Sequence, residues 1–132
     1  MRITADTNVL LRDVLHDDPH QWPLAKRILR EAELVAVPVS VLCEFVWVLR
    51  RGYKRRNSDI GQSIRTLISS SNVVTDDAAV QAGLATLEAG GDFADGVIAH
   101  DGEWLGAEEF VSFDKDAVKL LKSQGVRARL LS

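Results

Sequence analysis

Four carboxylates in this 132-residue chain stand where a folded chain can use them for chemistry: Asp6, Glu44, Asp95 and Asp114. Each lies at or just after an expected strand-to-helix junction, or near an expected helix start. In a right-handed βαβ architecture those junctions share one edge of the sheet, the edge where α/β folds place their sites. Four carboxylates gathered there repel one another strongly without a cation. A hard divalent ion with oxygen ligands removes that conflict. Mg²⁺ keeps several waters and takes only one or two carboxylates directly, so some of the four would act through water. Such a site generates a hydroxide nucleophile and stabilises charge on a phosphodiester. Each acid alone has a plainer role as a helix cap. Asp92 followed three residues on by Asp95, for instance, has the spacing of a capping box. The set is what points to chemistry.

The elements that must position these acids follow from apolar spacing. Ile3 to Ala5 are small or β-branched and suit a short buried strand. Asp6-Thr7-Asn8 then makes a polar corner, and Val9-Leu10-Leu11 opens a helical turn. Trp22, Ala25, Ile28, Leu29 and Ala32 keep helical spacing, which predicts a helix from about Gln21 to Glu33. Leu34 to Val37 reads as a second strand, apolar throughout as in a parallel sheet covered on both faces. Ser40 is a candidate cap for a helix from about Val41 to Arg51, and Asn57 or Ser58 for one from Asp59 to Ser70. Val73 to Thr75 is a brief third strand. Helices are expected over 78–88, from Asp92 to about Trp104, and over 117–123, with strands over 108–113 and 126–131. The fold class is therefore α/β, with a mostly parallel sheet of about five strands and one domain over residues 1–132.

Glu44 is the only charged residue between Glu33 and Arg50, in a helix that is apolar nearly all round. Such a helix is expected to be buried. A first-turn acid gains about 0.5 kcal/mol from the helix dipole, less than burial of an unpaired carboxylate costs. Glu44 is therefore read as functional. The next segment, Arg50-Arg51-Gly52-Tyr53-Lys54-Arg55-Arg56, holds five cations and an aromatic ring, a composition suited to phosphate contacts and base stacking. The alternative is a solvated helix end whose cations complement its dipole. His16 and His20 are four apart, but Pro19 lies between them and no third ligand is in view, so they read as a solvated loop.

Composition narrows the class. The chain is 46% hydrophobic and 27% charged, enough to build a core. A single cysteine, Cys43, excludes a disulfide framework or a cysteine-based zinc site. The longest apolar run, Leu34 to Leu49, is interrupted by Pro38 and Glu44, and it is too short for a membrane span. With no signal-peptide pattern, a cytoplasmic setting is expected. The net charge of −3 is uneven. Residues 1–66 carry 11 Lys and Arg against 8 Asp and Glu, and residues 67–132 carry 5 against 11. A polyanion would find a local patch, although the bulk charge does not favour it.

These residues resemble the PIN-domain nucleases, and within them the VapC-type toxins of bacterial toxin–antitoxin pairs. The matching segments are Asp6 to Leu10, Val41 to Leu49, Asp92 to Ala99 and Ser112 to Lys115, in the family's order along nearly the whole chain. The resemblance implies a three-layer α/β/α domain and an Mg²⁺- or Mn²⁺-dependent ribonuclease. By motif position, Asp6, Glu44, Asp95 and Asp114 look like the family's acids, and Asn8 and Ser112 like their polar supports. Family members more often carry Thr at the position of Ser112 and Ala at that of Gly96. On that reading Gly96 weakens its helix by up to about 1 kcal/mol. The resemblance also implies a homodimer and a small antitoxin whose segment covers the acidic groove. Two rival classes are a different Mg²⁺-dependent phosphotransfer domain and a non-catalytic RNA- or protein-binding module. A haloacid-dehalogenase-type phosphatase needs Asp-x-Asp, and Asn8 stands in the second place; a receiver domain needs a mid-chain acceptor Asp, and none is evident.

Overall fold

The computed structural model describes residues 1–132, which fold as two compact units, Met1–Asp76 and Asp77–Ser132. The first contains β1 (Arg2–Thr4), α1 (Thr7–Leu15), α2 (Gln21–Glu31), β2 (Leu34–Ala36), α3 (Val39–Arg51), α4 (Asn57–Ile68) and β3 (Val73–Val74). The second contains α5 (Asp77–Glu88), α6 (Phe93–Trp104), β4 (Phe110–Ser112), α7 (Lys115–Ser123) and β5 (Ala128–Leu130). The α/β class and the parallel pairing match the sequence reading. The five strands divide between two hydrogen-bonded sheets, β1-β2-β3 and β4-β5.

In the first unit β2 is central, with Thr4 opposite Ala36 and Ala36 opposite Val74. The strands are short, and irregular backbone extends the pairing: Ala5 N–H donates to the Ala36 carbonyl at 3.0 Å and Val37 N–H to that of Val74 at 2.9 Å. Asn72 ties the other end of the sheet to α2, its amide donating to the carbonyls of Leu29 (2.8 Å) and Ala32 (3.0 Å). Those carbonyls would otherwise be left over at a helix end. Val35 and Val37 are fully buried, as are Leu10, Leu42, Phe45, Ile60 and Ile64 from three of the helices.

Two caps differ from expectation. Pro38, not Ser40, precedes α3, and Arg56, not Asn57 or Ser58, precedes α4. Proline's fixed φ suits the extended cap conformation (φ −60°, ψ 144°) and sets the start of α3 two residues early. Ser40 and Ser58 are thereby absorbed into first turns. The histidine pair forms no shared face: His16 takes a left-handed conformation after α1 and stacks on Trp22 at 4.3 Å, while His20 precedes α2.

In the second unit α5 and α6 pack closely because of two glycines. A Cβ at Gly83 would lie 2.6 Å from the Phe93 ring, and one at Gly96 would overlap the Ala82 carbonyl and the Thr86 hydroxyl. Helices approach this closely only where side chains are absent. Thr86 is buried, and its hydroxyl bonds to the Ala82 carbonyl (3.2 Å) and the Gln124 side chain (3.1 Å). Under β4 and β5, Ala99, Val118, Leu121 and Ala128 form a small core, with Phe110 and Val126 packed against it.

Candidate functional site

In the first unit the chain leaves β1 through buried Ala5 and re-enters the interior at buried Thr7. Asp6 lies between these two anchors with its side chain exposed. It is extended (φ −75°, ψ 157°) and caps α1, with Oδ1 accepting the Thr7 N–H at 2.6 Å. Because β1 and β2 run parallel, Asp6 and the start of α3 follow adjacent strand ends at the carboxyl edge of this sheet. Asn8 is exposed on α1, where it lines a groove of about 510 Å³ together with Val9, Leu24, Ala25 and Ile28.

Glu44 overturns one expectation: it is exposed. The helix buries one stripe, Leu42, Phe45, Val46 and Leu49, and presents Glu44 and Trp47 on its other side. Its apolar sequence therefore does not mean burial all round. In water its charge carries no burial cost, and Glu44 is a candidate by motif position alone.

The basic segment links α3 to α4. Arg51, Lys54, Arg55 and Arg56 are exposed, whereas Arg50 is partly covered. Lys54 adopts a left-handed conformation (φ 51°), and Arg55 N–H bonds back to the Leu49 carbonyl at 2.9 Å. Tyr53 donates its hydroxyl to Asp17 at 3.1 Å, and Asp17 also pairs with Arg12 at 2.6 Å. Arg56 bridges Asp59 at 3.2 Å. The ring of Tyr53 is thus held by its own unit.

In the second unit Asp95 lies in the field of two other carboxylates. Asp92 caps α6, accepting the Ala94 N–H at 3.2 Å. Asp95, one turn on, is half-buried. Burial holds its carboxyl above the usual range, and the charges of Asp92 and then Asp114 push it further the same way. Asp114 caps α7, with Oδ1 accepting from Asp116 N–H (3.0 Å) and Ala117 N–H (3.1 Å). The hydroxyl of Ser112 accepts the Asp114 N–H at 2.9 Å, which fixes the backbone that carries the acid. Asp92, expected only to cap α6, is also part of the field at Asp95. Its signal in the sequence is the i, i+3 spacing of two acids at a helix start.

A carboxylate-only donor set suits a hard divalent cation, and Mg²⁺ asks for only one or two such ligands. Asp95 and Asp114 fit that demand because their mutual repulsion is what a cation relieves. No group of three or more His, Cys, Asp or Glu side chains is pre-arranged to hold a metal ion. The PIN domain family model matches residues 3–122, which include all four candidate acids. The chain belongs to the PIN domain family. PIN domains are in general nucleases that use divalent metal ions. No curated protein matches this PIN domain. None of its helices is long and apolar enough to cross a membrane.

Proposed function

We propose that this PIN domain is a divalent-metal-dependent endoribonuclease, the toxin member of a toxin–antitoxin pair, with the whole chain acting as one domain. The reading rests chiefly on Asp95, whose carboxyl is raised by burial and by two neighbouring carboxylates in a chain matched to a nuclease family. Asp6, Glu44, Asp95 and Asp114 are assigned as the metal-binding acids, with Asn8 and Ser112 as supports. Mg²⁺ or Mn²⁺ bound there would supply an activated water and offset charge on the phosphodiester. The capping acids Asp6 and Asp114 each use only Oδ1 on helix N–H groups, so Oδ2 is left for a cation. Arg50, Arg51, Lys54, Arg55 and Arg56 hold the RNA backbone. A homodimer, a small antitoxin partner and a cytoplasmic setting complete the proposal and rest on the resemblance of the four motif segments.

The test is cleavage of mixed single-stranded RNA by the purified protein with Mg²⁺ or Mn²⁺. Metal-dependent cutting, lost in Asp95→Asn, is expected. Undiminished cutting in excess EDTA would refute the metal mechanism, and no cutting under any metal would refute the nuclease. Induced expression should arrest growth, and Asp95→Asn should relieve the arrest.

A further inference from the structure

We propose that Phe113 is a stacking platform for one base of the nucleic acid, beside the phosphate that Asp114 serves. The inference rests on the nuclease reading and adds a substrate contact to it. Phe113 is 79% exposed. Burying a phenylalanine side chain gains roughly 1.5–3 kcal/mol, so a fold that leaves one in water forgoes that gain. Along β4 the side chains alternate. Phe110 packs on the small core of Ala99, Val118, Leu121 and Ala128, while Val111 is nearly half exposed. Phe113 continues the outward series one residue past the strand.

The ring stands on a rigid base. On one side the Ser112 carbonyl accepts the Leu131 N–H at 2.8 Å, beside β5. On the other, Asp114 donates its N–H to the Ser112 hydroxyl at 2.9 Å and caps α7 with its carboxylate. A residue held between two fixed neighbours loses little backbone freedom when it meets a ligand. Its chain neighbour is a candidate metal-binding acid, so a base on this ring sits close to the scissile phosphate.

The surroundings favour a base over a protein surface. The salt bridge of Glu109 with Arg129 (2.8 Å) lies on the outward side of the same strands, since Val111 is in register with Arg129. Lys115 and Asp116 follow in the chain and are exposed. Phe113, with the half-exposed Val111 before it and charged side chains around it, suits one nucleotide, whose base offers a flat face and whose sugar-phosphate carries the charge. A protein contact would call for a wider apolar patch. Two other exposed rings are worse placed. Trp104 lies nine residues beyond Asp95 at the far end of α6, roughly 13 Å along the axis. Tyr53 is engaged by Asp17.

The experiment compares wild type, Phe113→Leu and Phe113→Trp, first checked for equal melting, as their exposure predicts. Binding of a short single-stranded RNA is measured in EDTA, where no cutting occurs, and single-turnover cleavage is measured with Mn²⁺. Phe113→Leu should weaken binding by about 5- to 100-fold, the range for losing one stacked base, and Phe113→Trp should restore it. An RNA with one abasic position next to the cut should bind wild type more weakly, yet bind Phe113→Leu no worse than the intact RNA does. Equal binding by Phe113→Leu overturns the platform, and so do losses that simply multiply. A changed oligomeric state with unchanged RNA binding reassigns the ring to a protein contact. If wild type cuts with metal and Phe113→Leu matches it, the nuclease stands and the platform falls. If wild type neither binds nor cuts RNA, both fall.

Discussion

Replacing Gly96 by alanine sets two effects of opposite sign against each other. Gly96 sits inside α6, where alanine is the better helix former by about 1 kcal/mol. Its Cβ, however, would overlap the Ala82 carbonyl and the Thr86 hydroxyl on α5. Overpacking of this kind costs roughly 1–3 kcal/mol. The backbone carbonyl cannot swing away, and moving Thr86 endangers its bond to Ala82, worth about 1 kcal/mol. The balance is a net loss of roughly 1–3 kcal/mol, and a fall in Tm on the order of 3–10 °C for a chain of this size. Gly102 is the internal control in the same helix. A Cβ there meets nothing nearer than the Ala107 methyl at 3.9 Å, so Gly102→Ala should hold or raise the melting temperature. Urea and thermal unfolding in EDTA measure both. Gly96→Ala should also lower cleavage, because separating α5 from α6 displaces Asp95 in the preceding position. If Gly96→Ala melts at or above wild type, helix propensity decides and the close approach of α5 and α6 is not what Gly96 is for.

Asp95→Asn should be as stable as wild type or stabler at pH 7 without metal. The folded state holds the Asp95 proton more tightly than the unfolded chain, so stability falls as pH rises from the ordinary carboxylate range through the raised folded value. Urea titrations at pH 3 and pH 7 should show the variant's advantage only at the higher pH, and saturating Mn²⁺, which stabilises wild type by about 2.7 kcal/mol at a hundredfold excess over Kd, should reverse it. Asp114→Asn should fold like wild type while Asp114→Ala loses about 1 kcal/mol, since asparagine can still cap α7; both should fail to cleave. Glu44→Gln, on an exposed face, should change stability by less than about 0.5 kcal/mol yet abolish cleavage; full activity would remove Glu44 from the site. Changing Lys54, Arg55 and Arg56 together to alanine should flatten the salt dependence of RNA binding by up to about two in log–log slope, and an unchanged slope would assign these cations to solvent.

Much of the fold is legible because local rules and packing agree. The stripe Ala25, Ile28, Leu29 places α2, the apolar run Leu34 to Val37 gives β2, and Asp92 and Asp114 cap the helices they are expected to cap. Misreadings fall where tertiary packing decides. The near-continuous apolar sequence of α3 suggests burial on every side, yet four residues of it are fully buried and Glu44 faces out. Periodicity cannot separate a helix covered on both sides from one with an apolar face left open. Gly96 is the converse case. By propensity alone it weakens a helix, and only the close approach of Ala82 and Thr86 shows why a side chain is excluded. The division into two sheets is likewise invisible in strands of two or three residues, whose hydrogen-bonding partners lie far away in sequence.

Most of the candidate acids are tied to the fold in a way that does not depend on burial of Glu44. Asp6, Asp92 and Asp114 are all N-caps, and Asp95 lies in the first turn of α6. A cap needs an oxygen acceptor in extended backbone at the start of a helix, and an α/β fold puts helix starts just after strand ends. A carboxylate that caps with one oxygen is already oriented and has spent little freedom that a cation would otherwise have to restrain. Capping and metal binding are therefore compatible demands on one residue. Finding a cap at Asp6 or Asp114 does not count against chemistry there. What separates the two roles is charge, which a cap does not need. Asp95 shows the difference: burial first, and then the charges of Asp92 and Asp114, raise its carboxyl, a local cost that helix formation alone does not explain and that the proposed cation would relieve.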